Sequence, residues 1–364
     1  MKRFVLISVG LLGLFLLSVA VQSCSIKPLA WQPQPMPKWE GALTPNEALQ
    51  ATEWIDLEGW YGPEDIVVDS VGNLYCGVHV SPNNFNDGRI LKITPSGEIT
   101  TFCETGSWVT GMHLDARGNL IAGDTKRGLI RVNPQGEPTV LASEDERGRP
   151  LKMVNDVDID DAGMIYFSNT SARFHFSQKV ARRIIIETIP DGGLYRYNPY
   201  DQSVTTLIDS SFFGNGVAVS QRGDFVLMVD LTKYRVLKYH LHGPDKGKVE
   251  VFLDNLPGFP NGISRRKDGS FWLGFSTVRD EMLDKIHPRP FLKKVVFGLP
   301  RWMQPKQRAF GMVMHVSEEG EILQTYFDPT GEKVSEASSI EEADGYLYLG
   351  GDLIDHIGKF RLEE

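Results

Sequence analysis

The sequence predicts an all-β protein, a six-bladed β-propeller that its N-terminal strand closes into a ring. Of the 364 residues 41% are hydrophobic and 23% charged, an ordinary globular balance, and 36 glycines with 21 prolines favour many short strands and turns. A pattern recurs six times: an alternating apolar stretch, a turn ending in glycine, and a short β-rich strand. Repeats spaced by roughly 45 residues are typical of four-stranded propeller blades. The turn glycines are Gly72, Gly118, Gly163, Gly223, Gly269 and Gly345, at intervals of 46, 45, 60, 46 and 76 residues.

The two ends of the chain are expected to share one blade. The last repeat ends at residues 360–362, which leaves too few residues for a fourth strand. Residues 54–57, before the first repeat, have the pattern to supply it, and this closure removes exposed strand edges. The propeller is therefore predicted to span residues 54–364.

The two long intervals each contain an insertion directly after the second strand of its blade, at residues 171–190 and 278–310. The loop at residues 80–88 occupies the equivalent place in the first blade. In a propeller these connections lie on the face where the innermost strands begin. We therefore expect three long loops to crowd one rim.

The N-terminus has the pattern of a targeting segment. Lys2 and Arg3 precede an apolar run at residues 4–21, and Cys24 follows a short polar exit. Residues 1–24 are thus a cleaved signal peptide, a lipoprotein signal with Cys24 lipidated, or a retained membrane anchor. Residues 25–53 are predicted to form a Pro-rich tether between this segment and the fold. All three outcomes predict an exported protein, periplasmic or extracytoplasmic.

Charge, cysteine content and the lack of one motif limit the possible partners and mechanisms. With 38 basic and 47 acidic residues the formal charge is −9, so we expect no nucleic-acid partner. Besides Cys24 only Cys76 and Cys103 are present, either as a disulfide or as two buried thiols. The chain lacks a Gly-x-Ser-x-Gly motif, so a serine hydrolase mechanism has no support.

Oxygen-bearing side chains recur at one register of the repeat. Eight residues before the turn glycines stand Glu64, Thr110, Asn155, Asn215, Asn261 and Ala337. Equivalent positions of a closed ring converge on its axis, and converging oxygens fit a hard cation, for which Ca²⁺ is the leading candidate over other divalent ions. One position later, Asp65 and Asp156 suit a second, deeper cation. The alternative is that these Asn-Gly and Asn-Asp pairs are turn residues between blades.

Short motifs in the same places resemble the calcium-dependent lactonase and arylesterase propellers: the gluconolactonase/regucalcin, paraoxonase and strictosidine-synthase-like families. They lie at residues 62–65, 154–157, 215–220, 257–261 and 344–350. The likeness extends over residues 62–362 and is strongest to the adipocyte plasma membrane-associated protein branch of the strictosidine-synthase-like group. It implies a catalytic Ca²⁺ held by Glu64, Asn155, Asn215 and Asn261. It also implies, as in paraoxonase-like members, a structural Ca²⁺ near Asp65, Asp156 and the carbonyl of Met112.

Three departures from these families bear on activity. Asn261 stands where the family usually has Asp and is followed by Gly262, which removes a negative charge and a candidate ligand. Thr110 replaces the His of paraoxonases. Ser339 stands in place of the Glu on which strictosidine synthases rely, so alkaloid condensation is disfavoured.

A metal-bound ester or lactone carbonyl needs a base that activates water. Candidates stand at the ends of the second strands: His79, Asp124, Asn169, Asp230, Ser276 and Asp352. We rank His79 and Asp124 first and Asp230 third. The alternative is that such residues only form hydrogen bonds within the rim.

The second insertion carries a basic amphipathic stretch. Seven Lys and Arg and no acidic residue lie between Lys285 and Arg308, interleaved with apolar side chains. This stretch is predicted to form a lid that rests on an anionic membrane surface or admits an apolar substrate. The alternative is a lid packed over the tunnel with a solvated basic face.

Together these features predict an exported or membrane-tethered hydrolase of lactones or aryl esters that depends on a divalent metal, Ca²⁺ first, and favours an apolar small molecule. The alternative is a non-catalytic propeller that keeps its ion for stability and binds a lipid or protein partner through the basic rim.

Overall fold

The chain folds as a six-bladed β-propeller in the computed structural model, which describes Gly13, residues 17–82 and residues 84–362. Each blade is a four-stranded antiparallel sheet. The first three blades comprise β2 Ile66–Val68, β3 Leu74–Val78, β4 Arg89–Ile93 and β5 Ile99–Glu104; β6 Val109–Leu114, β7 Leu120–Asp124, β8 Gly128–Val132 and β9 Pro138–Ala142; and β10 Val154–Ile159, β11 Ile165–Asn169, β12 Gly192–Asn198 and β13 Ser203–Ser211.

The remaining blades complete the ring. They comprise β14 Gly214–Val219, β15 Phe225–Asp230, β16 Arg235–His240 and β17 Val249–Leu253; β18 Gly258–Arg265, β19 Phe271–Val278, β20 Gly311–Val316 and β21 Ile322–Asp328; and β22 Ser339–Ala343, β23 Tyr346–Gly350 and β24 His356–Arg361 with β1 Glu53–Asp56. Each innermost strand contacts the next one around the axis, and β22 contacts β2. The predicted fold class is confirmed.

The N-terminal strand closes the last blade, as predicted. β1 pairs antiparallel with β24, with Trp54 opposite Gly358 and Ile55 opposite Ile357. Leu57, just after β1, is fully buried with Ile357 in the apolar cluster under the first blade. The two ends of the chain therefore share one sheet and one core.

Glycines on the innermost strands allow neighbouring blades to approach closely. A Cβ on Gly216 would lie 2.5 Å from the Asn261 carbonyl oxygen, and one on Gly111 would lie 2.5 Å from the Asn155 carbonyl oxygen. A Cβ on Gly262 would clash with the Ser338 carbonyl. Because the obstacle is backbone in each case, any side chain there would push the strands apart. Gly216 and Gly262 thus bring the preceding residues, Asn215 and Asn261, toward the axis.

Both insertions fold over the face where the innermost strands begin. The first contains α1 Gln178–Glu187, and the second contains α2 Glu281–Ile286, α3 Pro290–Gly298 and a 3₁₀ turn at Arg301–Met303. Ser177 and Asp280 cap α1 and α2 by accepting hydrogen bonds from the amides of Val180 and Leu283. α1 and α3 contact each other. We call these two insertions together the lid.

Residues 26–52 connect the N-terminal segment to β1, but they are not the free spacer that the tether prediction implies. The Leu29 amide donates to the Glu187 carbonyl, the Trp31 amide donates to the His287 carbonyl, and Arg279 donates to the Gln34 carbonyl. Further along, 3₁₀ turns lie at Gly41–Leu43 and Ala48–Ala51, and another, in blade four, at Leu231–Lys233. We call residues 26–36 the strap, because they bind α1 to α2.

The predicted targeting segment is described only at Gly13 and residues 17–24, and residues 17–24 are helical. A Cβ on Gly298 of α3 would lie 2.5 Å from the Val19 carbonyl oxygen, so this helix packs directly on the lid. No helix in the described part of the chain has the length and apolar character needed to cross a bilayer.

The cysteines are free thiols. Cys76 and Cys103 are buried in different apolar clusters, and Cys24 is exposed. Burial raises the pKa of the Cys76 thiol to about 12. Of the two alternatives drawn from the sequence, the structure has the pair of buried thiols.

Candidate functional site

A cavity of about 690 Å³ lies between the lid and the central ends of the blades. Its floor holds polar side chains of five different blades, and its walls are largely apolar. The floor residues are Glu64, Asn155, Asn215, Asn261 and Asp352, and the walls include Met36, Trp39, Phe176, Ile185, Leu283, Val296 and Phe310. The strap and the residues after it thus form part of the wall. No motif in the sequence predicts this contribution.

The floor contains the four residues predicted to hold the first, catalytic cation. Glu64, Asn155 and Asn215 also line a second, narrower cavity of about 200 Å³ that continues along the axis, so they stand where the two spaces meet. The other two members of the register are engaged elsewhere: the Thr110 hydroxyl donates to the Val154 carbonyl at 3.1 Å, and Ala337 is packed in the core.

Three oxygens on the floor are buried without a hydrogen-bond partner: Oε2 of Glu64, Oδ1 of Asn261 and Oδ1 of Asp352. The Asn261 amide nitrogen donates to the Ser276 hydroxyl at 2.6 Å, which leaves its carbonyl oxygen for another partner. Buried unpaired oxygens cost free energy unless a donor or a cation satisfies them. Carboxylate and amide oxygens are the ligands that Ca²⁺ takes. The residues therefore fit a hard divalent cation, although the described residues contain no group of three or more His, Cys, Asp or Glu suited to a metal.

Three carboxyl groups concentrate negative charge at this floor. Burial raises the pKa of Glu64 well above its usual value, and the neighbouring Asp352 carboxylate raises it further. Burial also raises the pKa of Asp352, with Glu336 adding to the effect. A cation among them would offset both desolvation and mutual repulsion.

Asp352 and Glu336 differ in how they are held. Glu336 accepts hydrogen bonds from the Leu353 amide at 2.9 Å and from the Gln307 side chain of the lid at 3.1 Å. Oδ1 of Asp352 is buried without a partner. The register of second-strand ends includes Asp352 but gives no reason to prefer it, and Glu336 lies outside both registers.

The structure does not bring the three predicted bases into this cavity. His79 is fully buried, with Nδ1 2.7 Å from the Ser81 carbonyl oxygen and Nε2 3.0 Å from the Asp352 carbonyl oxygen; burial lowers its pKa. Asp124 accepts from Ser107 and Arg127, and Asp230 accepts from the Phe212 amide and Arg235. These hydrogen bonds hold loops in place, which was the alternative interpretation.

Asp65 and Asp156 join adjacent blades. Oδ2 of Asp65 accepts from the Met112 amide, and Oδ2 of Asp156 accepts from the Val217 amide, each at 2.6 Å. Their other oxygens accept from the Ser339 hydroxyl and the Val157 amide. Burial raises the pKa of Asp65 to about 6 and that of Asp156 well above its usual value. Both line the narrower cavity and join strands of adjacent blades, and the second, deeper cation stays a prediction.

The basic stretch of the lid is divided between interior and surface. Lys293 is fully buried, and its Nζ donates to the Leu29 carbonyl at 2.7 Å and to the Thr188 hydroxyl at 2.8 Å. Arg301, Lys306 and Arg308 are exposed and also line the mouth of the cavity. Lys293 therefore ties α3 to the strap and does not contribute to a surface charge.

Comparison with known proteins defines the class. The profile of the strictosidine synthase family matches residues 155–244, and the profile of the strictosidine synthase-like N-terminal region matches residues 41–93. A gluconolactonase from Xanthomonas campestris superposes with a TM-score of 0.61 at 14% identity, over 93% of this chain and 97% of that one. A regucalcin from Agrobacterium tumefaciens, named as a calcium-binding protein, superposes with a TM-score of 0.59 at 14% identity, over 86% and 94%. The chain is thus a six-bladed propeller of the strictosidine synthase-like superfamily.

Sequence relatives define the branch. The adipocyte plasma membrane-associated protein of Bos taurus is 31% identical over 92% of this chain and 84% of its own length. The protein strictosidine synthase-like 10 of Arabidopsis thaliana is 32% identical over 87% and 90%. The chain belongs to the adipocyte plasma membrane-associated protein family.

Proposed function

We propose that this protein is a calcium-dependent hydrolase of lactones or aryl esters that prefers apolar substrates. The observation that carries the proposal is the convergence of Glu64, Asn155, Asn215 and Asn261 on the floor of a largely apolar cavity, with two of their oxygens unpaired. One structural neighbour is a gluconolactonase, and another is a calcium-binding regucalcin. At 14% identity those neighbours establish the fold, and the activity is our extension from the site.

Glu64, Asn155, Asn215 and Asn261 would hold the metal ion. When bound, a divalent ion supplies a Lewis acid that polarises an ester or lactone carbonyl and stabilises the oxyanion. One carboxylate and three neutral amides make a weakly charged ligand set. Ca²⁺ affinity depends on the negative charge around the ion. The nearby carboxylates of Asp352 and Glu336 would therefore raise this affinity by electrostatic attraction.

Asp352 is our candidate for the general base. Its Oδ1 is unpaired at the cavity, and its raised pKa brings it toward the pH at which a carboxylate can both accept and return a proton. Glu336 holds the adjoining backbone through the Leu353 amide. The imidazole of His79 contacts the Asp352 carbonyl oxygen, so we assign it a positioning role in place of the predicted role as base.

The walls define the substrate class. Trp39, Phe176 and Ile185 form apolar surface on opposite sides of the floor, and Gln307 links the lid to Glu336. A substrate enclosed between them excludes water from the reacting carbonyl, which strengthens every electrostatic interaction there. A small apolar lactone or aryl ester satisfies this geometry.

We further propose that the protein is exported and held at a membrane by residues 1–24, either retained or through lipidated Cys24. The apolar run and its basic start support this location. The relatives are themselves named as plasma membrane-associated.

The test is hydrolysis of an aryl acetate, a γ-lactone and a long-chain acyl lactone by the full chain, with chelator and with Ca²⁺ restored. We expect activity that chelator abolishes and Ca²⁺ restores. Asp352→Asn should lower kcat by about a hundredfold or more, the usual contribution of a general base, while the Ca²⁺-induced rise in Tm persists.

Asp124→Asn is the matched control, because Asp124 is a buried carboxylate at the equivalent position of another blade but lies outside the cavity. It should lower Tm and leave kcat of the folded protein near wild type. Wild-type kcat in Asp352→Asn would refute the assigned base. Calcium binding without turnover of any substrate would refute the hydrolase and favour the non-catalytic propeller with a partner on its rim.

A further inference from the structure

The outer surface of the lid presents large apolar side chains to solvent. Phe291 on α3 and Trp302 in the following 3₁₀ turn are each 75% exposed, and Met303 and Met282 are 44% and 45% exposed. Other apolar residues of the same helices, such as Phe297, point inward and are buried. Large aromatic side chains left in water on an otherwise packed lid indicate a surface that binds a partner.

Basic side chains flank these residues along the chain. Lys285, Arg289, Arg301, Lys306 and Arg308 are exposed, and Lys294 is partly exposed. No acidic residue occurs between residues 285 and 308, although the chain as a whole carries a net charge of −9. A local positive surface on a negative protein favours an anionic partner at that place alone. Exposed aromatic side chains among cations are typical of surfaces that insert into lipid headgroups.

The N-terminal helix identifies the partner. Residues 17–24 pack on α3 at Gly298, and Leu17 and Val21 of this helix are exposed. The apolar run at residues 4–21 ends at this contact. The last residues of that run therefore meet the body at α3, the lid helix that carries Phe291. A bilayer that receives the run would lie against the same surface.

We infer that the outer surface of the lid, formed by Phe291, Trp302 and Met303 with Arg289, Lys294 and Arg301, docks on an anionic lipid bilayer. The aromatic side chains enter the headgroup region and the cations face lipid phosphates and carboxylates. The propeller is then held with its cavity-bearing face toward the membrane. This orientation does not depend on whether the cavity hydrolyses a substrate.

The test uses the full chain reconstituted into phosphatidylcholine vesicles with and without phosphatidylserine, containing brominated acyl chains that quench tryptophan fluorescence. Quenching should be stronger in the anionic vesicles. Trp302→Phe should remove most of the lipid-dependent quenching. Trp54→Phe is the matched control, because Trp54 is 50% exposed but lies on β1, and it should leave the quenching unchanged.

Charge reversal tests whether the basic side chains of the lid bind anionic lipid. Arg289→Glu with Lys294→Glu should reduce quenching in anionic vesicles to the level of neutral ones. The control pair, Arg117→Glu with Lys246→Glu, changes the same charge on exposed turns at the opposite face of the propeller and should have no effect. Undiminished quenching in Trp302→Phe, or equal quenching in neutral and anionic vesicles, would overturn the inference. Absence of quenching in wild type would also overturn it and would assign this surface to a protein partner.

Discussion

Asn261 contributes an oxygen to the floor of the cavity without contributing a charge. Its Oδ1 is unpaired, and its Nδ2 is held by Ser276, so the side chain has the orientation of a ligand. The three nearby carboxyl groups of Glu64, Glu336 and Asp352 already repel one another in the absence of a cation. The amide at residue 261 therefore limits repulsion in the metal-free protein at the expense of metal affinity.

Asn261→Asp should increase the repulsion in the metal-free protein and raise its metal affinity. Without Ca²⁺ the extra buried carboxylate adds repulsion, so Tm should fall; with Ca²⁺ we expect about tenfold tighter binding, equivalent to about 1.4 kcal/mol. Calorimetric titration and thermal unfolding with and without chelator measure both effects. Thr110→Ser, in the same register but bonded to the Val154 carbonyl, should leave Ca²⁺ affinity unchanged. Equal affinities of Asn261→Asp and wild type would exclude residue 261 from the metal site.

The strap and the lid act as one element, because Lys293 of α3 reaches the strap and the end of α1 at once. Burial, together with the charge of Lys233, lowers the pKa of Lys293 to about 7. The buried imidazole of His287 lies against the same group and stacks edge-on with Trp31 of the strap. The anchoring of the lid thus includes an amine that is close to losing its proton at neutral pH.

The Lys293 amine should make the free energy of unfolding depend on pH, and the sign of this dependence follows from its pKa. The unfolded chain binds the Lys293 proton up to a pH of about 10.4, whereas the folded protein releases it near 7, so the free energy of unfolding rises with pH across this window. Below 7 both states are protonated and the dependence disappears. Lys293→Met removes this contribution. The free energy of unfolding of the variant minus that of wild type should therefore fall as pH rises.

Urea unfolding at several pH values between 6 and 10 measures this difference. Lys294→Met, one residue further along α3 and more exposed, is the control and should follow the wild-type curve. Parallel curves for Lys293→Met and wild type would contradict the assignment of this window to Lys293.

At the scale of the whole molecule, one short strand closes the ring. β1 supplies the outer edge of the last blade, and without it β24 would expose a row of unpaired backbone groups. Leu57 is fully buried directly after that strand. Closure by β1 therefore combines edge protection with core burial.

A chain that starts at Gly59 should be less stable than one that starts at Thr52. Both lack the N-terminal helix and the strap, so the comparison isolates β1 and Leu57. Loss of the Leu57 side chain alone costs about 2 kcal/mol, and the exposed edge adds a tendency to aggregate. Thermal unfolding with light scattering measures both, and equal Tm values with equal scattering would show that the ring does not need this strand.

The sequence predicted the ring because the repeat is local. The turn glycines, the alternation of the strands and the missing fourth strand of the last blade can all be read within short windows, and β1 pairs with β24 as expected. The register of oxygen-bearing residues was also predictable, since ring symmetry places equivalent positions at equivalent points. Glu64, Asn155, Asn215 and Asn261 accordingly share the cavity floor.

Only the tertiary structure decided which candidate side chains face that floor. His79, Asp124 and Asp352 occupy equivalent positions of the repeat, yet of these three only Asp352 lines the cavity. His79 is held by the backbone of Ser81 and Asp352, and Asp124 is held by Ser107 and Arg127. Hydrogen bonds between residues more than 100 positions apart hold the strap on the lid and satisfy the buried amine of Lys293. Periodicity fixes where a residue lies in its blade, whereas its partner and its exposure depend on non-local packing, which no local pattern encodes.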